Sequence, residues 1–215
     1  MRWCTEALLL AGSLASAIAS PQLVNPSDLP STCDNIKLVA HAQRSESSGL
    51  QVDIENWHLS GAGADGDDPQ SLALSRPGGN GTGAAISFYL DPAAKTLVSR
   101  RLSDGVVREL VLDAGDSGPP QLSSDRGRGR LRPSIEWKLD APRLSADGVL
   151  FYACQTASGS ADGSLGLYYR QQDSQEPSDS CVGVTLLSSR AEGPFHGDAS
   201  LLLCCEDAKD GKCIN

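Results

Sequence analysis

The sequence is poor in the residues from which most active sites and ligand platforms are built. It has three histidines, one methionine and ten aromatic side chains (3 Trp, 4 Tyr, 3 Phe) in 215 residues. His41, His58 and His196 stand at no spacing that ligates a metal, so a histidine-based metal centre is excluded. With so few rings, a broad aromatic platform for sugars is excluded too. Basic residues are also short: 18 Lys and Arg against 27 Asp and Glu give a formal net charge of −9 at pH 7. A chain of that charge is a poor partner for nucleic acid, whose phosphates are read by Lys and Arg. Helical periodicity is nearly absent. The one long apolar run is residues 7–19, too short to span a bilayer. No hydrophobic tail of the kind that directs a glycolipid anchor closes the chain, so no membrane anchor is expected.

What is present begins with that apolar run. Arg2 gives a short positive region before it, and Ala17 and Ala19 place small residues at the −3 and −1 positions of a cleavage site. Residues 1–19 are therefore expected to be a secretory leader, followed by a single domain over residues 20–215. Cys4 would leave with the leader. Six cysteines then remain: Cys33, Cys154, Cys181, Cys204, Cys205 and Cys213. An even number in an oxidising compartment predicts three disulfides and no free thiol.

Six cysteines allow fifteen pairings. Cys154 ends one apolar segment and Cys181 begins another, so two strands of one meander would bring them together. Cys204 and Cys205 are adjacent and need separate partners. Cys213 is near enough to close a small loop with one of them, which leaves Cys33 to tie the N-terminal arm to the Cys-rich tail, residues 204–215. A zinc site is not expected, because Cys204-Cys205 lacks the two-residue spacing such sites use. No cofactor is expected.

Between the ends the segments are short, alternating and separated by turn residues. Strands are predicted at 36–42, 50–59, 71–74, 84–90, 96–101, 106–112, 134–139, 149–155, 165–170 and 182–188. Asp-Gly pairs at 104–105, 147–148 and 162–163 suit tight hairpins. The pattern predicts an all-β, disulfide-stabilised domain. The first choice is an antiparallel β-sandwich, with a closed β-barrel or β-trefoil as the alternative. In Ile135-Glu136-Trp137-Lys138-Leu139 the strict alternation predicts that Ile135, Trp137 and Leu139 share a buried face, and Val149, Phe151, Val184 and Leu186 are expected to be buried as well. Residues 114–133 read as one long polar loop, with four arginines at Arg126, Arg128, Arg130 and Arg132.

Candidate chemistry is thin. Gly115-Asp116-Ser117-Gly118-Pro119 and Val39-Ala40-His41-Ala42 echo the serine and histidine segments of chymotrypsin-like proteases. The echo fails because Pro119 replaces the second glycine and the spacing from His41 to Ser117 is too short for that fold's two barrels. Asp65, Asp67 and Asp68 form an acidic turn without the fuller ligand set of a calcium loop. Asn80-Gly81-Thr82 is a glycosylation sequon in a glycine-rich turn, which makes Asn80 a candidate for glycan attachment. The rings that could face solvent and stack on a sugar are Trp57, Tyr168 and Tyr169.

Phe151-Tyr152-Ala153-Cys154, then Leu167-Tyr168-Tyr169, then Cys181-Val182-Gly183-Val184-Thr185-Leu186 resemble, in that order, the C-terminal part of small secreted fungal proteins of the PhiA-like cell-wall type and related fungal domains of unknown function. Trp57-His58-Leu59-Ser60-Gly61-Ala62-Gly63 and Phe88-Tyr89-Leu90 are similar to earlier landmarks of that group. The resemblance implies an all-β secreted protein of the wall or medium, with no assigned catalytic residues. The Arg-rich insertion and the Cys-rich tail depart from it. The expected function is a non-enzymatic wall-associated protein, or an extracellular effector or antigen. A carbohydrate-binding module for wall polysaccharide is the second reading, and an extracellular hydrolase the third.

Overall fold

The computed structural model describes residues 31–43, 53–61, 69–78, 85–100, 106–113, 117–125, 130–155, 165–174, 180–192 and 200–214. The leader at residues 1–19, Asn80, His196, Arg126, Arg128 and the acidic turn at Asp65, Asp67 and Asp68 lie outside the described residues. Strands β1 (Ser31–Cys33), β2 (Ile36–Ala42), β3 (His58–Gly61) and β4 (Gln70–Ser75) open the chain. They are followed by β5 (Tyr89–Asp91), β6 (Thr96–Arg100), β7 (Val107–Val111), β8 (Ser117–Gly118) and β9 (Gln121–Ser123). Then come β10 (Ser134–Lys138), β11 (Ala141–Ser145), β12 (Val149–Cys154), β13 (Leu165–Gln171) and β14 (Cys181–Arg190). The tail forms β15 (Leu202–Cys204), β16 (Asp207–Lys209) and β17 (Lys212–Ile214).

The all-β expectation holds, and among the architectures considered the chain takes the closed barrel given as an alternative, not the β-sandwich of first choice. Strands β4, β3, β2, β14, β12 and β13 pair in that order, and β13 returns to β4 through Leu165↔Leu74 and Gly166↔Ala73. The closing seam is short because both strands fork. The far end of β13 pairs β8 at Tyr169↔Gly118 and Arg170↔Ser117. The near end of β4 pairs β9 at Gln70↔Leu122 and Ser71↔Gln121. Strands β9, β7, β6 and β5 continue outward from β4 as a wing.

Alternation decides what fills the barrel. Ile36, Leu38 and Ala40 of β2, Phe151 and Ala153 of β12, Leu165, Leu167 and Tyr169 of β13, and Val182, Val184 and Leu186 of β14 join one buried cluster with Leu97, Leu110 and Phe88. Val39 and Leu187 face the other way. They are covered by Ala141 and by Ala208 of the C-terminal hairpin β16–β17.

The three disulfides join Cys33 to Cys204, Cys154 to Cys181 and Cys205 to Cys213. The first staples β1 to β15, which pair antiparallel. The second lies across the β12–β14 ladder, where Cys154 and Cys181 are register partners. The third holds the C-terminal hairpin against the barrel. There Gly211 has φ +74°, and a Cβ on it would stand 2.6 Å from Cδ2 of the His41 ring. Gly211→Ala should therefore cost roughly 1–3 kcal/mol through backbone strain and the ring contact. Urea denaturation beside an exposed control, Lys212→Ala, checks this. Equal midpoints for the two variants would show that the hairpin does not rest on His41.

Several sequence expectations need correction. Trp137 is 37% exposed and Leu139 81% exposed, while Ile135 is half-buried against the core. Alternation shows which residues share a face, not whether anything covers it. Among the described residues β10 ladders with β11 alone, so it is the outer strand of its hairpin and one of its faces is open to solvent, while Ala141 beside the turn is buried against the barrel. Leu139 lies in the turn with φ 49°, beyond the strand. Of the 50–59 segment residues 50–52 lie outside the described residues, and in the rest only His58 and Leu59 are in a strand: Asn56 takes φ 65° and the Asp53 carboxylate accepts the Glu55 N–H, which turns the chain before β3. The stretch 114–133 is not one loop, because β8 and β9 lie inside it, too short to show a period. Arg130 pairs with Asp113, and Arg132 with the buried Glu109. Two of the four arginines thus tie the segment to the wing.

Candidate functional site

The rings singled out from sequence divide between core and surface. Trp57 is 3% exposed and belongs to the barrel cluster, with the Arg76 guanidinium 5.6 Å above its ring centroid. Tyr169 is also buried. Its hydroxyl donates to the Asp113 carbonyl at 2.6 Å, joining the barrel to the wing, and burial, with the Asp113 charge adding, raises its pKa. Neither side chain faces a ligand. Tyr168, one residue earlier, points outward and is 37% exposed.

The ladder registers place Tyr168 in a row. Tyr168 stands opposite Tyr152, Tyr152 opposite Gly183, and Gly183 at the end of β14 beside Gln43, whose N–H donates to the Gly183 carbonyl at 2.8 Å. Tyr152 is fixed by Arg170. The Arg170 Nε donates to the Tyr152 hydroxyl at 2.7 Å, and its guanidinium lies 5.2 Å from the ring centroid. At Gly183 the absent side chain leaves space that Gln43 covers, its Oε1 3.1 Å from where a Cβ would be. The result is a low outer face with one standing ring, one fixed ring and an amide.

The next row carries the histidine. Ser117 pairs Arg170, Arg170 pairs Leu150, and Thr185 pairs His41. Ser117 and His41 thus stand at the two ends of the wall with β13, β12 and β14 between them, roughly 19 Å along it at the usual spacing of adjacent strands. No proton passes directly between them. His41 Nδ1 instead lies 2.6 Å from Oε2 of Glu55, whose Oε1 accepts the Ala42 N–H at 3.2 Å. With Gly211 against the ring, this is a clasp holding the turn before β3 and the C-terminal hairpin to β2. Among the described residues, no group of three or more His, Cys, Asp or Glu side chains is placed to hold a metal.

Beside the tyrosine row the wall opens into a cleft of about 390 Å³. Its origin is a mismatch in strand length. β14 pairs β12 up to Phe151↔Val184 and meets β11 at Arg143↔Leu187. Residues 144–150 therefore stand opposite Thr185 and Leu186 alone, and the excess chain bulges away. The floor is Leu150, Phe151, Val184 and Thr185, and the far wall is Lys138, Leu139 and Arg143. Lys138 is engaged twice, with Glu136 at 2.7 Å and the Ser145 hydroxyl at 2.8 Å. The hydrogen bond from Lys138, foremost, lowers the Glu136 pKa. Burial lowers the pKa of Arg143, against a smaller opposing effect of Asp140.

Nothing in the local sequence pattern marks this cleft. Pro142 argues against a strand, and an isolated arginine in Ala141-Pro142-Arg143-Leu144 reads as surface. The usable signal was the Ala146-Asp147-Gly148 turn between two segments that run in the same direction along one neighbour.

Comparison with protein-family models, curated proteins and solved structures finds no match to this chain.

Proposed function

We propose that this protein works outside the cytoplasm as a non-catalytic, disulfide-bonded β-barrel held on cell-wall polysaccharide. The observation that carries this reading is Tyr168: an outward ring on a low sheet face, beside Tyr152 and the Gln43 amide. A pyranose presents an apolar face to such a ring and hydroxyls to the neighbouring amide and phenol. Three disulfides support an oxidising compartment. The likeness to secreted fungal wall proteins points the same way, and so does the leader read from residues 1–19. Of the three rings considered, Tyr168 alone is exposed and is the one this reading uses; Trp57 and Tyr169 are core residues.

A single stacking contact is weak, so binding should be seen on insoluble, multivalent polymer. Purified protein should co-sediment with particulate β-glucan or chitin. Tyr168→Ala should reduce retention about tenfold, consistent with ~1.4 kcal/mol for one lost ring contact. Equal retention of the two proteins would remove Tyr168 from the binding surface, and no retention of either on any wall polymer would remove the polysaccharide reading.

A further inference from the structure

We infer that the cleft between the β10–β11 hairpin and strands β12 and β14 is a separate binding site for a small carboxylic acid with an apolar body, held by Arg143. Three observations lead there. Arg143 lines the cleft half-buried and forms no ion pair among the described residues. Among the described residues its Nη2 donates only to the Leu139 carbonyl at 3.2 Å, and its Nε is buried without a partner. The carboxylate nearest in register, Glu136, stands directly opposite Arg143 on β10 but is engaged by Lys138. Asp140 in the hairpin turn offsets only part of the cost of desolvating the guanidinium, and an anion at its cleft edge relieves the rest.

The second observation is the lining. Leu139, Leu144, Val149, Leu150 and Phe151 provide an apolar surface, and Thr185 and Gln43 provide polar groups at the rim. Gln43 Nε2 donates to the Thr185 hydroxyl at 3.0 Å, which fixes both. Of the two cations on the wall Lys138 is paired with Glu136, so Arg143 is the anchor, and a charged anchor on an apolar wall selects a ligand with a charged head and an apolar body. The third is size. A volume of about 390 Å³ is at the small end of ligand sites, suited to a single ring or short chain rather than a polymer. The planar fork of Arg143 matches a carboxylate in two-pronged geometry.

The cleft adjoins the Tyr168 face and shares Gln43 with it, but Arg143 and Tyr168 are separate side chains, so either site can fail alone. Benzoate and hexanoate are the probes, with benzamide and inorganic phosphate as controls, followed by two-dimensional NMR of the whole chain. Both acids should give saturable shifts centred on Arg143, Leu150 and Phe151, and benzamide and phosphate should bind at least tenfold more weakly. Arg143→Met should abolish acid binding without lowering the melting temperature, because it removes a half-buried cation whose desolvation outweighs the pull of Asp140. If Arg143 served only to brace the hairpin through Leu139, the same variant would lower the melting temperature and leave binding intact, and the assignment would be wrong. Leu150→Trp, which fills the floor and keeps Arg143, should weaken binding at least tenfold. The proposal is also overturned if neither acid binds, if benzamide binds as tightly as benzoate, or if phosphate does.

Discussion

Replacing Cys33 and Cys204 together by alanine should cost more stability than removing either other disulfide, about 5 kcal/mol by the loop-entropy relation. That bond spans a sequence separation of 171, from the first described strand to the last part of the barrel's cover. Opening it frees most of the unfolded chain from a constraint, and both half-cystines are buried in the core. The same relation gives ~3.5 kcal/mol for Cys154–Cys181 and ~2.5 kcal/mol for Cys205–Cys213, with separations of 27 and 8. A domain with a total stability of roughly 5–15 kcal/mol can lose the last and remain folded, but loses a third or more of its stability with the first. Urea denaturation of the three paired variants checks the order. If the Cys205–Cys213 variant is the least stable, the tail hairpin matters to the fold more than its loop length implies.

Trp57→Ala should cost ~3–5 kcal/mol, whereas Trp137→Ala should cost less than ~1 kcal/mol. Trp57 sits inside the barrel cluster, its carbonyl accepting the Ala40 N–H at 2.6 Å, so truncation leaves a cavity that the strands cannot close. Trp137 lies on β10, the outer strand of its hairpin, and is 37% exposed. Intrinsic fluorescence gives a second readout: the Trp57 indole should be shielded from a soluble quencher and the Trp137 indole open to it. Comparable losses for the two variants would mean the β10–β11 hairpin packs down in solution.

These two tryptophans mark how far the sequence could be read. Alternation placed Phe151, Val184 and Leu186 in the core and found most of the strand positions, because both neighbours of those strands are present and each inward residue is covered. It misplaced Trp137 because a period of two is blind to whether a strand lies in the wall or beyond it. The cysteine preferences came through, since loop length and strand order restrict which sulfurs can meet. The architecture was harder. Closure of the barrel rests on two register pairs between β13 and β4, residues far apart in the chain and unmarked by any local signal. The candidate site was less legible than the fold. Tyr168 was visible as a ring beside another ring, but its outward direction depends on register, and Tyr169 next to it points inward. The cleft depends on the excess chain opposite Thr185 and Leu186, which can be counted only once β11 and β12 are known to share one neighbour.

The location of the native protein tests the central claim most directly. Cells of the organism that makes it can be separated into interior, wall and medium, and the protein measured in each without reduction. The account predicts the protein in the wall fraction with all six of Cys33, Cys154, Cys181, Cys204, Cys205 and Cys213 oxidised, and a shift of Tyr168→Ala from wall to medium. Protein confined to the cell interior with free thiols, or a Tyr168→Ala variant held in the wall as firmly as the wild type, would contradict it.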